Sequence, residues 1–216
     1  MYEELFDWSV SNMENSNQKG DYKVEAGSKK KKPVLIFILL GILVVAAAVI
    51  LYLQYARPSE PDSVRFKSEY PLVSEDNPFV YKNATEIVRV MEKGTGIIFS
   101  GFSSCIWCQA YVTILNEVAI DMGVKEILYL DIQQDREDDS RQYRRMVELL
   151  EGRLELNEDG KPRIFVPDFT VVKDGVIIGH DNETCMLSGM DPSEYWTNAK
   201  ANALKQRLEA MMREVQ

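Results

Sequence analysis

Twenty consecutive residues without a charge, Val34 to Leu53, follow almost directly on Lys29-Lys30-Lys31-Lys32. A helix rises ~1.5 Å per residue, so a run of that length reaches about 30 Å, the thickness of a bilayer's hydrocarbon core. A helix buried in a soluble protein rarely carries apolar side chains on every face for so long. The run predicts a single transmembrane helix over 34–53, and it divides the 216-residue chain in two. The four lysines on one flank, against Arg57 close on the other, predict a cytoplasmic N-terminus and an extracytoplasmic C-terminal domain. A cleaved leader fits less well. Its apolar core is usually about 7–15 residues, and Tyr55-Ala56 is a poor small-residue cleavage site.

The flanking segments read differently. Residues 1–33 are polar and mixed in charge, with one small apolar spot at Leu5, Phe6 and Trp8, and predict a disordered cytoplasmic tail. Residues 54–77 hold Pro58, Pro61 and Pro71 among charged residues, with Pro78 just beyond, and predict a stiff, irregular linker. Folding is expected from Pro78 onward, giving a domain over 78–216. The net charge of −9 and the lack of basic clusters beyond the lysine run exclude nucleic acid as a partner class.

Within that domain, Ile97-Ile98-Phe99 has strand character and breaks at Gly101. Ser103-Ser104 leads into Cys105-Ile106-Trp107-Cys108, after which Val112, Leu115, Val118 and Ala119 recur at helical spacing. Two cysteines three residues apart therefore sit where a buried strand turns into a helix. Unpaired N–H groups and aligned peptide dipoles make a helix start locally positive, which stabilises a thiolate. Cys105 is the expected nucleophile. Cys108, one turn on, is placed to attack a mixed disulfide and close a ring with Cys105. A structural disulfide, half of a zinc site and two ordinary buried cysteines are the competing readings. Two thiols need no cofactor for this exchange.

The strand–turn–helix setting of this Cys-x-x-Cys is similar to that of the thioredoxin superfamily. From about Tyr70 to the C-terminus the chain resembles a thioredoxin-like domain, an α/β fold with a central mixed sheet flanked by helices. A second element supports it. Arg163-Ile164-Phe165-Val166-Pro167-Asp168 precedes a strand, an Asp174-Gly175 turn and a second strand, the order in which thioredoxins carry a cis-proline and a hairpin. The resemblance implies that Pro167 packs beside the cysteine pair. It further implies that Ile106, Trp107, Val166 and Pro167 contact an incoming peptide. The implied activity is protein thiol–disulfide oxidoreduction, with protein thiols or disulfides as substrates and a membrane electron donor or a secretion partner alongside. The overall layout resembles single-pass thioredoxin-like proteins of Gram-positive bacteria, including those called bacteriocin transport accessory proteins. An edge-strand or turn proline is the other reading of Pro167.

The remaining elements fit the same pattern. Asn83 with Glu86 reads as a capping box opening a helix that ends by Lys93-Gly94. Residues 126–132 read as a second buried parallel strand, and 135–150 as one charged helix with Tyr143, Met146, Val147 and Leu150 on its packed face. Gly152 to Lys161 reads as an added surface loop. Asp191-Pro192 is expected to open a final helix carrying Tyr195, Trp196, Ala199, Leu204, Leu208 and Met211 among its packing residues.

Three departures from the family pattern stand out. The strand before the cysteines, Gly96-Ile97-Ile98-Phe99, lacks the buried acidic residue many thioredoxins carry there. The dipeptide between the cysteines is Ile-Trp rather than Gly-Pro. A third cysteine, Cys185, follows the hairpin near His180, the only histidine. A zinc set of Cys105, Cys108, Cys185 and His180 and a second resolving thiol at Cys185 are minor alternatives to a plain semi-buried cysteine. His180 is expected as an ordinary strand-end residue. The rival function class is a non-catalytic binding or assembly module built on the same fold.

Overall fold

The computed structural model describes residues 32–55, 60–184 and 189–216. The tail expected over 1–33 lies outside them up to residue 31, as does Cys185. The chain separates after Pro58 into two units.

The first unit holds α1, Lys32–Tyr55. Over Leu35–Leu53 it is long and apolar enough to cross a membrane. Its large apolar side chains stand exposed along that length.

The second unit begins with a correction. Residues 62–73 are not spacer: Asp62–Glu69 forms α2, and Phe66, Tyr70 and Val73 are buried in the core. Phe66 stacks on the Phe79 ring at 3.9 Å and meets Tyr129 edge-on at 5.0 Å. The Tyr70 and Tyr129 hydroxyls share a hydrogen bond of 3.1 Å. Asp62 accepts the Tyr81 N–H at 3.0 Å, closing α2 onto the first strand. Pro61 sits at the cap position and Pro71 just past the end, so both prolines bound the helix rather than interrupt it. Each fully buried aromatic contributes roughly 1.5–3 kcal/mol, and that makes this segment part of the domain.

The sheet and its helices follow in chain order: β1 Phe79–Tyr81, α3 Ala84–Lys93, β2 Gly96–Gly101, α4 Ile106–Asp121, β3 Ile127–Asp131, α5 Gln133–Glu137, α6 Arg141–Leu149, β4 Asp168–Lys173, β5 Val176–Asp181, α7 Pro192–Tyr195 and α8 Asn198–Met212. The five strands lie in the order β1-β3-β2-β4-β5. Strands β1, β3 and β2 are parallel, while β4 and β5 run antiparallel to their neighbours. Successive side chains on a strand face opposite ways. Phe99, Tyr129, Phe169 and Val171 therefore meet α2, α4 and α8 on one face. Ile98, Leu128, Leu130 and Val172 meet α3 and α6 on the other. This is a mixed α/β unit with a helix-covered sheet, and the C-terminal ends of all three parallel strands point to one edge.

Local chemistry sets the element ends. The Asn83–Glu86 capping box opens α3 with both reciprocal bonds at 3.0 Å. Asp174 and Gly175 both take positive φ, 50° and 76°, in the two-residue turn between β4 and β5. A Cβ on Gly175 would lie 2.4 Å from the Glu92 carbonyl oxygen, so only glycine fits there.

Two helices expected as continuous are broken. Residues 135–150 divide into α5 and α6 at Asp138-Asp139, where Asp139 takes φ 46° and Ser140 caps the second helix. Tyr143, Met146 and Leu150 still form the buried face. Asp191 opens only the single turn of α7, and Thr197 starts α8 anew by accepting the Lys200 N–H. In α8 the fully buried residues are Leu204, Leu208 and Met212, with Met211 only partly covered.

Candidate functional site

The last residue of β2 prepares the turn. A Cβ on Gly101 would meet the Phe99 ring at 3.1 Å and the Cys108 Sγ at 3.2 Å, so any side chain here would press on the second cysteine. The Cys105 N–H donates to the Phe102 carbonyl at 3.1 Å, closing the turn in front of α4. Gln109 fastens it from outside, its amide donating to the Ser103 and Glu69 carbonyls at 2.8 Å each. The end of α2 is thereby tied to the cysteine turn.

Cys105 is the N-cap of α4, and its Sγ accepts the Cys108 N–H at 3.2 Å. Both cysteines are free thiols, with Cys105 half-buried and Cys108 fully buried. Their environments push them apart. The hydrogen bond with Cys108 lowers the Cys105 pKa most, aided by the backbone N–H groups of the helix start and the Arg136 charge and opposed by burial; the result is about 7. Burial, then the hydrogen bond with and charge on Cys105, pushes the Cys108 thiol well up. One sulfur is available as a thiolate near neutral pH while the other is held as a thiol.

The segment before β4 returns to the same place. The Val166–Pro167 peptide bond is cis, and the Val166 carbonyl lies 4.0 Å from the Cys105 Sγ. Cys105, Cys108, Val166 and Pro167 are thus brought together from parts of the chain about sixty residues apart. Ile106 is 59% exposed at the rim. Trp107 is half-buried and rests edge-on against Tyr195 at 5.5 Å. Ile106, Leu72, Ala110, Ile114 and Trp196 line a shallow apolar groove next to Cys105.

Sequence reading passed over three charged residues here. Asp168, directly after Pro167, is buried and pairs with His180 at 2.7 Å while accepting the Thr170 hydroxyl at 3.1 Å. A buried carboxylate is therefore present, on β4 opposite Ser100 of β2 rather than on β2 itself. The period-2 position of Asp168 among Phe169, Thr170 and Val171 was the available signal. Arg136 and Arg163 flank the turn from α5 and from the loop before Pro167; no spacing in the sequence marks them. His180 is committed to Asp168, and among the described residues no group of three His, Cys, Asp or Glu side chains could hold a metal ion.

A second polar group braces the rim. Tyr111 donates to Asp181 at 3.0 Å, Arg207 donates to Asp181 at 2.8 Å and also to Glu183, and Tyr195 donates to Glu183 at 2.6 Å. Through Tyr195 this network supports Trp107.

No protein-family model matches the chain, and no curated protein matches it.

Proposed function

We propose that this protein is a membrane-anchored thiol–disulfide oxidoreductase with a thioredoxin-like domain acting outside the cytoplasm. The observation that carries the reading is the Cys105 Sγ at the start of α4, beside the Val166 carbonyl and cis-Pro167, with the buried Cys108 N–H donating to it. The lysines ahead of α1 support a cytoplasmic N-terminus. An extracytoplasmic site suits the chemistry, because protein disulfides persist there.

In the reducing direction the Cys105 thiolate attacks one sulfur of a substrate disulfide. A Cys105–substrate S–S bond forms, and the other substrate sulfur leaves as a thiolate. Once Cys105 is bonded, its charge and its hydrogen bond no longer hold up the Cys108 pKa; burial still raises it, while the Phe102 backbone hydrogen bond and the Arg136 charge lower it. Cys108 then loses its proton and attacks the Cys105 sulfur. The Cys105–Cys108 bond forms, and the second substrate thiolate is released. Two electrons pass from the dithiol to the substrate, and a second thiol–disulfide couple must restore them. Oxidation of a substrate dithiol is the same path in reverse. Ile106, Trp107, Val166 and Pro167 serve as the peptide-contacting rim.

The test is trapping. Cys108→Ser should accumulate mixed disulfides between Cys105 and substrate proteins, and Cys105→Ser should accumulate none. If both variants support the protein's role in cells as well as the unmodified chain, the fold serves as a non-catalytic assembly module instead.

A further inference from the structure

Two arginines beside the cysteine turn, Arg136 and Arg163, pair with no carboxylate among the described residues, although acidic residues outnumber basic ones by 34 to 25. Arg65, Arg144, Arg145, Arg207 and Arg213 each hold a carboxylate. Arg89, Arg141 and Arg153 also do not, but of the described arginines only Arg136 and Arg163 have a buried Nε without a hydrogen-bond partner. The two carboxylates next to Arg136 in sequence, Asp135 and Glu137, are engaged by the Ser140 hydroxyl at 2.6 Å and the Gln133 amide at 3.0 Å.

Both guanidiniums are held in place by aromatic rings. Arg136 lies over Phe102 at 5.1 Å and Arg163 over Phe165 at 5.7 Å. Phe102 closes the turn in front of Cys105, and Phe165 is two residues before cis-Pro167, so the pair brackets the nucleophile from the two segments that form its rim. The two charges also feel one another. Burial first, and then repulsion from Arg163, lower the Arg136 pKa. Paired cations with orphaned N–H donors call for an anion, and the planar guanidinium fork fits a carboxylate with two parallel hydrogen bonds.

We propose that Arg136 and Arg163 form a carboxylate-recognition site beside Cys105, which selects protein substrates whose reactive sulfur is flanked by acidic residues. The proposal rests on the oxidoreductase reading above and supplies its substrate class. An acidic side chain entering next to the scissile disulfide relieves the repulsion between the guanidiniums. A basic flank meets two uncompensated like charges.

The test uses the full chain in detergent micelles with three short peptides, each carrying one cysteine as a neutral pyridyl disulfide and flanked by Glu, Gln or Lys. Attack by Cys105 forms the peptide–Cys105 bond and expels pyridine-2-thione, whose absorbance gives the rate. Cys108 then closes the intramolecular disulfide and releases the peptide thiol. The Glu peptide should react on the order of tenfold faster than the Lys peptide at low salt, with Gln between them. Arg136→Gln and Arg163→Gln should each reduce that ratio, and together abolish it. Taking the ratio within each variant removes any effect of Arg136 on the thiol itself, and the single variants carry the test if the double variant does not fold. Equal rates for the three peptides, or a preference that survives both substitutions, overturns the proposal while leaving the oxidoreductase reading intact. If no peptide reacts at all, that reading falls and the proposal with it.

Discussion

The His180 Nε2 lies 2.7 Å from the Asp168 Oδ2, with the two side chains only 6% and 2% exposed. This contact joins β5 to the residue that follows cis-Pro167, so it holds the proline segment against the sheet. Asp168→Ala leaves both the imidazole and the Thr170 hydroxyl without their partner inside the protein. Leaving a buried polar group unpaired costs about 1–3 kcal/mol each. Urea unfolding of Asp168→Ala should show a loss of about 3 kcal/mol; a change under ~0.5 kcal/mol would mean that water reaches the pair.

Thiol reactivity should follow the asymmetry of the two sulfurs. The Cys105 pKa is about 7, lowered from its ordinary value, so its thiolate fraction rises as pH rises through 7. Iodoacetamide labelling of Cys105 in the reduced protein should climb with that midpoint while Cys108 stays unlabelled, since Cys108 is buried with its pKa raised. Arg136→Gln removes a charge that favours the thiolate, so the midpoint should move upward. The linkage has the same origin. The lowered pKa stabilises the reduced fold fully at pH above the unfolded-chain value, and this contribution disappears as pH falls through 7. Mass spectrometry of labelled peptides across pH reads both the site and the midpoint.

The helix before the first strand should behave as core. Phe66→Ala removes a fully buried ring that stacks on Tyr70 and Phe79, at an expected cost of about 3–5 kcal/mol. A fragment starting at Ser59 should give a cooperative unfolding transition, and one starting at Pro78 should not. Chemical denaturation followed by circular dichroism separates the two.

A methyl group at residue 101 probes the packing under the cysteines. In Gly101→Ala the new Cβ meets the Phe99 ring and the Cys108 Sγ at about van der Waals overlap, 3.1 and 3.2 Å. Overpacking of this kind costs roughly 1–3 kcal/mol. Displacement of Cys108 should slow closure of the intramolecular disulfide more than it slows attack by Cys105. Single-turnover kinetics resolve the two steps.

Strong local signals made much of this legible before any coordinates. The uncharged run to Leu53, the strand-to-helix break around Cys105, the Asn83 cap and the Asp174-Gly175 turn each carry their own chemistry within a few residues. The helix at 62–69 was missed because only Phe66 and Tyr70 mark its apolar face, and prolines at 61 and 71 look like breakers when they are boundaries. The break at Asp139 was missed because a charged, evenly patterned stretch hides a single residue in the left-handed region. Asp168, Arg136 and Arg163 owe their roles to strand pairing and loop return. Asp168 becomes a buried carboxylate because β4 lies beside β2, and its period-2 place in the strand hints at its facing but not at that neighbour.

The central claim is that Cys105 and Cys108 form a reversible redox pair. Its most direct test is the thiol–disulfide equilibrium of the full chain in detergent micelles, titrated with glutathione. Fluorescence of the tryptophans, Trp107 nearest the pair, follows the change, and mass spectrometry identifies the bonded cysteines. The account predicts one reversible two-electron transition with Cys105 bonded to Cys108. A midpoint near about −270 mV would assign reduction as its direction, and one near about −120 mV oxidation. A pair that does not cycle, or Cys185 permanently bonded to either cysteine, would contradict it.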